Sequence, residues 1–176
     1  MTTDARIEGY ANGLFEIAKA EGTLDEVEDE LFRFARSYES SDELRNALTD
    51  ELVPVTRRQS IVEDLLGAKA SPTTVQLVSM IVGSGRGRDL PAIVDRLVQR
   101  AAATKDSTVA EVRTAVPLSA DQQDRLRAAL ANATGRNITL KAVVDPAVLG
   151  GVVATVGDTV IDGTVRTHLD QLKSRL

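Results

Sequence analysis

The sequence predicts a mainly α protein with a small α+β part: an N-terminal six-helix bundle over residues 1–105, followed by a small C-terminal α+β domain over residues 106–176. Three observations predict it. Apolar residues recur at helical spacing through the first part and switch to alternation after Lys105 and Asp106. Aromatic residues make up only 3% of the chain and Trp is absent, which leaves the core to Leu, Val, Ile and Ala, residues that let helices pack closely. The whole formal charge of -5 lies in the first part, while the second part is balanced.

The first helix runs from Asp4 to about Ala20, with Ile7, Ala11, Leu14 and Ala18 on one face. Gly22 and Thr23 break it. Leu24, Val27, Leu31, Phe34 and Tyr38 mark a second helix, whose acids Asp25, Glu26, Glu28, Asp29 and Glu30 crowd the positive end of the helix dipole. Ser40 and Glu43 have capping-box spacing and open a third helix through Leu48. Pro54 starts a fourth, with Ile61, Val62, Leu65 and Leu66 on its apolar face and Gly67 at its end. Ser71 and Pro72 form an N-cap and first-turn pair for a fifth, which carries Val75, Leu77, Val78, Ile81 and Val82 on more than one face. Gly83, Gly85 and Gly87 end it. Leu90, Ile93, Val94, Leu97, Val98 and Ala101 define the sixth.

Beyond a boundary near Ala103 to Thr108, Val109 to Val116 reads as a strand stopped by Pro117. Ser119 and Gln122 form a capping box for a helix with Leu126, Ala129, Leu130 and Ala133, closed by Gly135. Ile138, Leu140, Ala142 and Val144 alternate with Asn137, Thr139, Lys141 and Val143, a strand with one mostly polar face. Val152 to Val156 and Thr159 to Ile161 flank Gly157-Asp158, a hairpin connection. Val165, Leu169, Leu172 and Leu176 finish as a helix face.

Several chemistries are set aside. Without Cys there are no disulfides, thiolate metal sites or cysteine nucleophiles. The first residues lack the basic and apolar runs of an export signal, and no window offers the roughly 20 apolar residues of a membrane span. Membrane association is therefore expected only through other proteins. The acidic balance argues against nucleic acid. His168 stands alone without ligand spacing, and no Ser lies in a G-x-S-x-G elbow. No catalytic residue, cofactor or metal is expected.

The glycine-rich run Gly83-Ser84-Gly85-Arg86-Gly87-Arg88 would cradle phosphate only if it followed a strand and opened a helix with free N–H groups. Here it follows a helix, so an interhelical turn is the plainer reading. A small nucleotide-binding enzyme using Gly83–Arg88 is one alternative function. A free-standing regulatory adaptor is another. The fifth helix carries more apolar residues than one core stripe needs. It is either buried on all sides or forms a wall of a groove for a partner helix, with helix one supplying the second wall through Tyr10, Leu14 and Phe15.

Four segments resemble a known family, the delta subunit of bacterial and chloroplast ATP synthases, similar to the mitochondrial oligomycin-sensitivity-conferring protein. They are Tyr10 to Ala18, Gly85-Arg86 with Leu90, Val144 to Gly151, and Gly157 to Arg166 continuing to Leu169. The resemblance implies a non-catalytic stator, or peripheral stalk, subunit of an F-type proton-translocating ATP synthase at the cytoplasmic face of the plasma membrane. It further implies that residues 1–105 bind the N-terminal helix of an alpha subunit, and that residues 106–176 engage the b-subunit stalk. Carried onto this sequence, Ala11, Leu14, Phe15, Val78, Ile81 and Val82 would line the alpha-binding groove. Asp145, Gly150, Gly151, Asp162, Gly163 and Arg166 would form the C-terminal family motif. Gly13 and Thr164 depart from the family pattern, which more often has Ala and Ser there.

Overall fold

A computed structural model describes residues 3–148, 150–157 and 159–162. The fold is mainly helical with a small sheet, in two compact units that divide between Ala101 and Ala102. The first unit holds α1 (Thr3–Ala20), α2 (Leu24–Ser40), α3 (Asp42–Thr49), α4 (Val55–Leu66), α5 (Pro72–Gly83) and most of α6 (Leu90–Thr104), with a short 3-10 turn at Gly87–Asp89. The division falls in the last turns of α6, slightly ahead of the change in apolar period.

The core of this unit is aliphatic, with Leu14, Leu31, Leu48, Ile81, Leu90, Ile93 and Leu97 fully buried. Aliphatic chains at helical spacing let helices approach closely, and burial at about 25 cal/mol per Å² supplies most of the stabilisation. Arg36 bridges Glu39 and Asp95 and lies over the Phe32 ring, 4.9 Å from its centroid, tying α2 to α6.

Local signals set several helix ends. Ser71 caps α5 by accepting from the Thr74 N–H at 3.4 Å, with Pro72 in the first turn. A second group reaches this cap from a distant turn. Both Glu30 carboxylate oxygens accept from the Ser71 N–H at 3.0 Å, and Oε2 also accepts from the Ser71 hydroxyl at 2.8 Å. Burial pushes the Glu30 carboxyl up. Hydrogen bonds from Thr74 and Ser71 and the Arg33 charge outweigh that and hold it below its ordinary value.

Two expectations are corrected here. The cap of α3 is Ser41, not Ser40: its hydroxyl accepts from the Leu44 N–H at 3.1 Å, whereas α2 runs on through Ser40, which donates to the Ser37 carbonyl. Leu44 occupies the third helical position, so no reciprocal side-chain bond completes a box. On α4, only Arg58 and Val62 are buried; Ile61 and Leu66 are half-buried and Leu65 is 39% exposed.

The second unit contains β1 (Thr108–Thr114), α7 (Ala120–Thr134), β2 (Ile138–Val144), β3 (Val152–Val156) and β4 (Thr159–Asp162) in a sheet of order β2-β1-β3-β4. β1 and β2 run parallel across the α7 crossover, and β3 and β4 add antiparallel strands. The Ser119–Gln122 capping box is present in full, and Gly135 closes α7 at φ 68°, where a side chain would be strained. Leu130 packs with Ala110, Val112, Ile138, Ala154 and Val156.

Three strand and helix faces differ from expectation. Leu126, Leu130 and Ala131 contact the sheet core, while Ala129 and Ala133 are exposed, so the apolar stripe of α7 is rotated by about one residue. β1 stops at Thr114, whose hydroxyl donates to the Val116 carbonyl and turns the chain before Pro117. On β2 the polar position Lys141 is buried, in register with Glu111 of β1, while Val144 at the end of this edge strand is 50% exposed. The expected closing helix, with Val165, Leu169, Leu172 and Leu176, lies outside the described residues.

Candidate functional site

The two helices expected to form a groove, α1 and α5, each carry a buried stripe and an outward stripe. Ala11, Leu14, Phe15 and Ala18 face the core from α1, and Leu77, Val78, Ile81 and Val82 face it from α5. The six groove candidates are therefore core residues: Ala11, Leu14 and Phe15 are buried, as are Val78, Ile81 and Val82. A side chain packed against its own unit has no free surface to offer a partner. What these helices show to solvent is different. On α1 it is Gly9, Gly13 and Ile17 beside the polar Glu8, Asn12, Glu16 and Lys19, and on α5 Gln76 and Met80 beside half-buried Val75. Ile17 and Met80 are 40% and 42% exposed, the large apolar side chains standing out of each helix.

Polar contacts hold both helices in place. Glu8 pairs with Arg96 at 3.8 Å and Arg100 at 3.9 Å on α6, and Arg100 lies 5.4 Å from the centroid of the Phe15 ring. The Thr73 hydroxyl donates to Glu21 Oε2 at 2.6 Å, joining the start of α5 to the end of α1. Gln59 of α4 donates to the Ser79 carbonyl at 3.2 Å and fills the space beside Gly83, where a Cβ would meet its Nε2 at 2.6 Å.

The glycine-rich segment after α5 is a helix cap. The Ser84, Gly85 and Arg86 N–H groups donate to the Met80, Val82 and Ile81 carbonyls at 3.0–3.1 Å, with Gly85 at φ 72°. Gly87 packs on the Leu48 carbonyl, 3.1 Å from where a Cβ would sit. N–H groups spent on orphan carbonyls cannot cradle a phosphate, and Arg86 pairs with Asp89 at 3.5 Å. The nucleotide-binding alternative loses its structural basis.

In the second unit, β2 and β3 lie on opposite sides of β1, so residues 145–151 must carry the chain across it. Asp145 organises this crossing. Its N–H donates to the Thr114 carbonyl at 2.8 Å, Oδ1 accepts from the Ala147 N–H at 2.9 Å, and Oδ2 accepts from Arg113 at 3.4 Å. Gly150 and Gly151 then turn the chain at φ 71° and 82°. Asp162 ends β4 opposite Val153. Gly163 and Arg166 lie outside the described residues. Among those described, no three His, Cys, Asp or Glu side chains stand together as a metal-ligand group, and no helix is long and apolar enough to cross a membrane.

The sequence pattern of the ATP synthase delta (OSCP) subunit matches residues 7–176. The chain belongs to this family. ATP synthase subunit delta of Streptomyces griseus is 46% identical over 159 residues, covering 90% of this chain and 59% of that protein. The Streptomyces avermitilis protein is also 46% identical, with 90% and 58% covered. The chain thus spans about three-fifths of the length of the curated relatives it matches. Among solved structures, a chain of the Toxoplasma gondii mitochondrial ATP synthase hexamer shares the fold at a TM-score of 0.56 and 26% identity, with 99% of this chain and 97% of that one covered.

Two of the family segments have local structural work to do. Gly85-Arg86 caps α5, and Val144 to Gly151 carries the crossing over β1. Gly13, expected from the resemblance to depart from the family pattern, is exposed on α1 and a Cβ there meets nothing within 4 Å. The departure thus costs helix propensity, at about 1 kcal/mol, and no packing. Thr164 lies outside the described residues.

Proposed function

We propose that this chain is a non-catalytic peripheral-stalk subunit of an F-type proton-translocating ATP synthase, holding the catalytic head to the b-subunit stalk against rotational torque. One observation carries the reading: the family match extends from residue 7 to residue 176 and so takes in both compact units. The N-terminal unit, as a six-helix bundle, receives the N-terminal helix of an alpha subunit; the unit after it engages the b stalk. Attachment at the cytoplasmic face of the plasma membrane goes through these partners.

A stator must resist sideways force without releasing between steps, so it needs slow dissociation and no bond chemistry. Apolar burial of a partner helix supplies this at about 25 cal/mol per Å², before the costs of association are subtracted. The outward positions Gly9, Gly13 and Ile17 on α1 and Met80 on α5 suit such a partner: the glycines admit a close helix approach and the two larger side chains provide apolar area. Ala11, Leu14, Phe15, Val78, Ile81 and Val82 hold the inner faces of those helices. Affinity purification of the tagged chain from detergent-solubilised membranes is expected to recover alpha, beta and b subunits. Recovery of none of them would overturn the assignment.

A further inference from the structure

A groove elsewhere on the first unit is unrelated to the outward faces of α1 and α5. It lies between α2, α3 and the end of α4, has a volume of about 380 Å³, and is floored by Phe34, Leu44 and Leu65. Leu65 is 39% exposed, an apolar side chain left half in water over an apolar hollow. Its rim carries Arg33 and Lys69, both exposed, and among the described residues no carboxylate forms an ion pair with either. The one acid on the rim, Glu30, has both oxygens hydrogen-bonded by Ser71 at the start of α5 and feels the Arg33 charge without an ion pair to it. Two cations thus border an apolar floor in a unit that holds the whole net negative charge of the chain.

Size narrows the occupant. A volume of 380 Å³ is in the range of small-ligand pockets, about 300–1,000 Å³. We propose that this groove binds a small amphipathic carboxylate, with an unbranched apolar tail laid against Phe34, Leu44 and Leu65 and its anionic head between Arg33 and Lys69. The tail covers the exposed face of Leu65, and the head takes charge-assisted hydrogen bonds that a neutral head of the same length cannot match.

The test is a titration of the isotope-labelled full chain, followed by amide NMR shifts, with octanoate, octan-1-ol and octyltrimethylammonium as probes. Octanoate is expected to give saturable shifts confined to α2, α3 and the end of α4, octanol weaker ones at the same residues, and the cation none. The Arg33→Gln, Lys69→Gln double variant is expected to weaken octanoate at least tenfold, while the weaker octanol response at the same residues, which needs neither cation, stays and shows that the groove is still folded. Equal response to all three probes, shifts spread over the surface, an unchanged affinity in the double variant, or binding to anionic vesicles with no octanoate response would each overturn the proposal.

Discussion

Ile81 and Met80 are neighbours on α5 about 100° apart around the helix, one buried and one outward, 0% and 42% exposed. Replacing Ile81 by Ala removes roughly three methylene equivalents from a fully buried site, about 2.4 kcal/mol at about 0.8 kcal/mol each. The cavity left behind brings the cost to about 3 kcal/mol, within the range of about 2–5 kcal/mol for such truncations. With a urea dependence of about 2 kcal/mol per M, the unfolding midpoint followed by helical circular dichroism is expected to drop by about 1.5 M. Met80→Asp should move that midpoint little, since it changes a surface side chain, by about 0.5 kcal/mol. In calorimetry with an alpha-subunit N-terminal peptide the order reverses: Met80→Asp loses most of the affinity, and Ile81→Ala, below its melting transition, keeps it. If Ile81→Ala left the midpoint in place and abolished peptide binding, the assignment of inner and outer faces on α5 would be wrong.

Gly13→Ala is expected to raise stability by about 0.5–1 kcal/mol, because the methyl meets nothing within 4 Å and the helix gains propensity; the same methyl stands on the outward face of α1 and should weaken the alpha peptide. Gly135→Ala should cost about 1–2 kcal/mol in urea unfolding, since its φ of 68° is the left-handed region and the space around it is open, leaving backbone strain as the whole effect. The Glu30 carboxyl lies below its ordinary 4.5 in the folded chain, so the unfolded chain takes up the proton first. Its stabilisation is complete above pH 4.5 and lost as pH falls through the folded value; Glu30→Gln should flatten that part of the stability profile measured by acid titration.

Signals that act within a few residues were legible. Ser71-Pro72, the Ser119–Gln122 box and Gly135 sit where their spacing predicts, because a cap needs only the N–H or carbonyl groups of its own turn. Where two neighbours competed, spacing could not choose: Ser40 and Ser41 offer the same hydroxyl, and the cap went to Ser41, whose backbone is extended at φ -120°, ψ 108°. The Glu30–Ser71 lock was invisible, since it joins residues from different helices with no shared pattern. Lys141 was expected on a polar face because its alternation is correct; its burial depends on which strand lies alongside.

The candidate contact surface divides in the same way. Periodicity marked α1 and α5 and named Ala11, Leu14, Phe15, Val78, Ile81 and Val82, yet an apolar stripe is by its nature the stripe that a helix hides in its own core. The outward residues Gly9, Gly13, Ile17 and Met80 form no apolar stripe, since glycines stand at two of the positions, and become visible only once packing has used up the stripe beside them. By itself the sequence determined the helices of the described residues, the caps at Ser71, Ser119 and Gly135, the change to a small sheet and the family, since each depends on local spacing or on residues in order. Which side of each helix meets water, and so which side chains are left to meet a partner or a ligand, was decided by tertiary packing, because burial is a property of neighbours that the chain brings together from far apart.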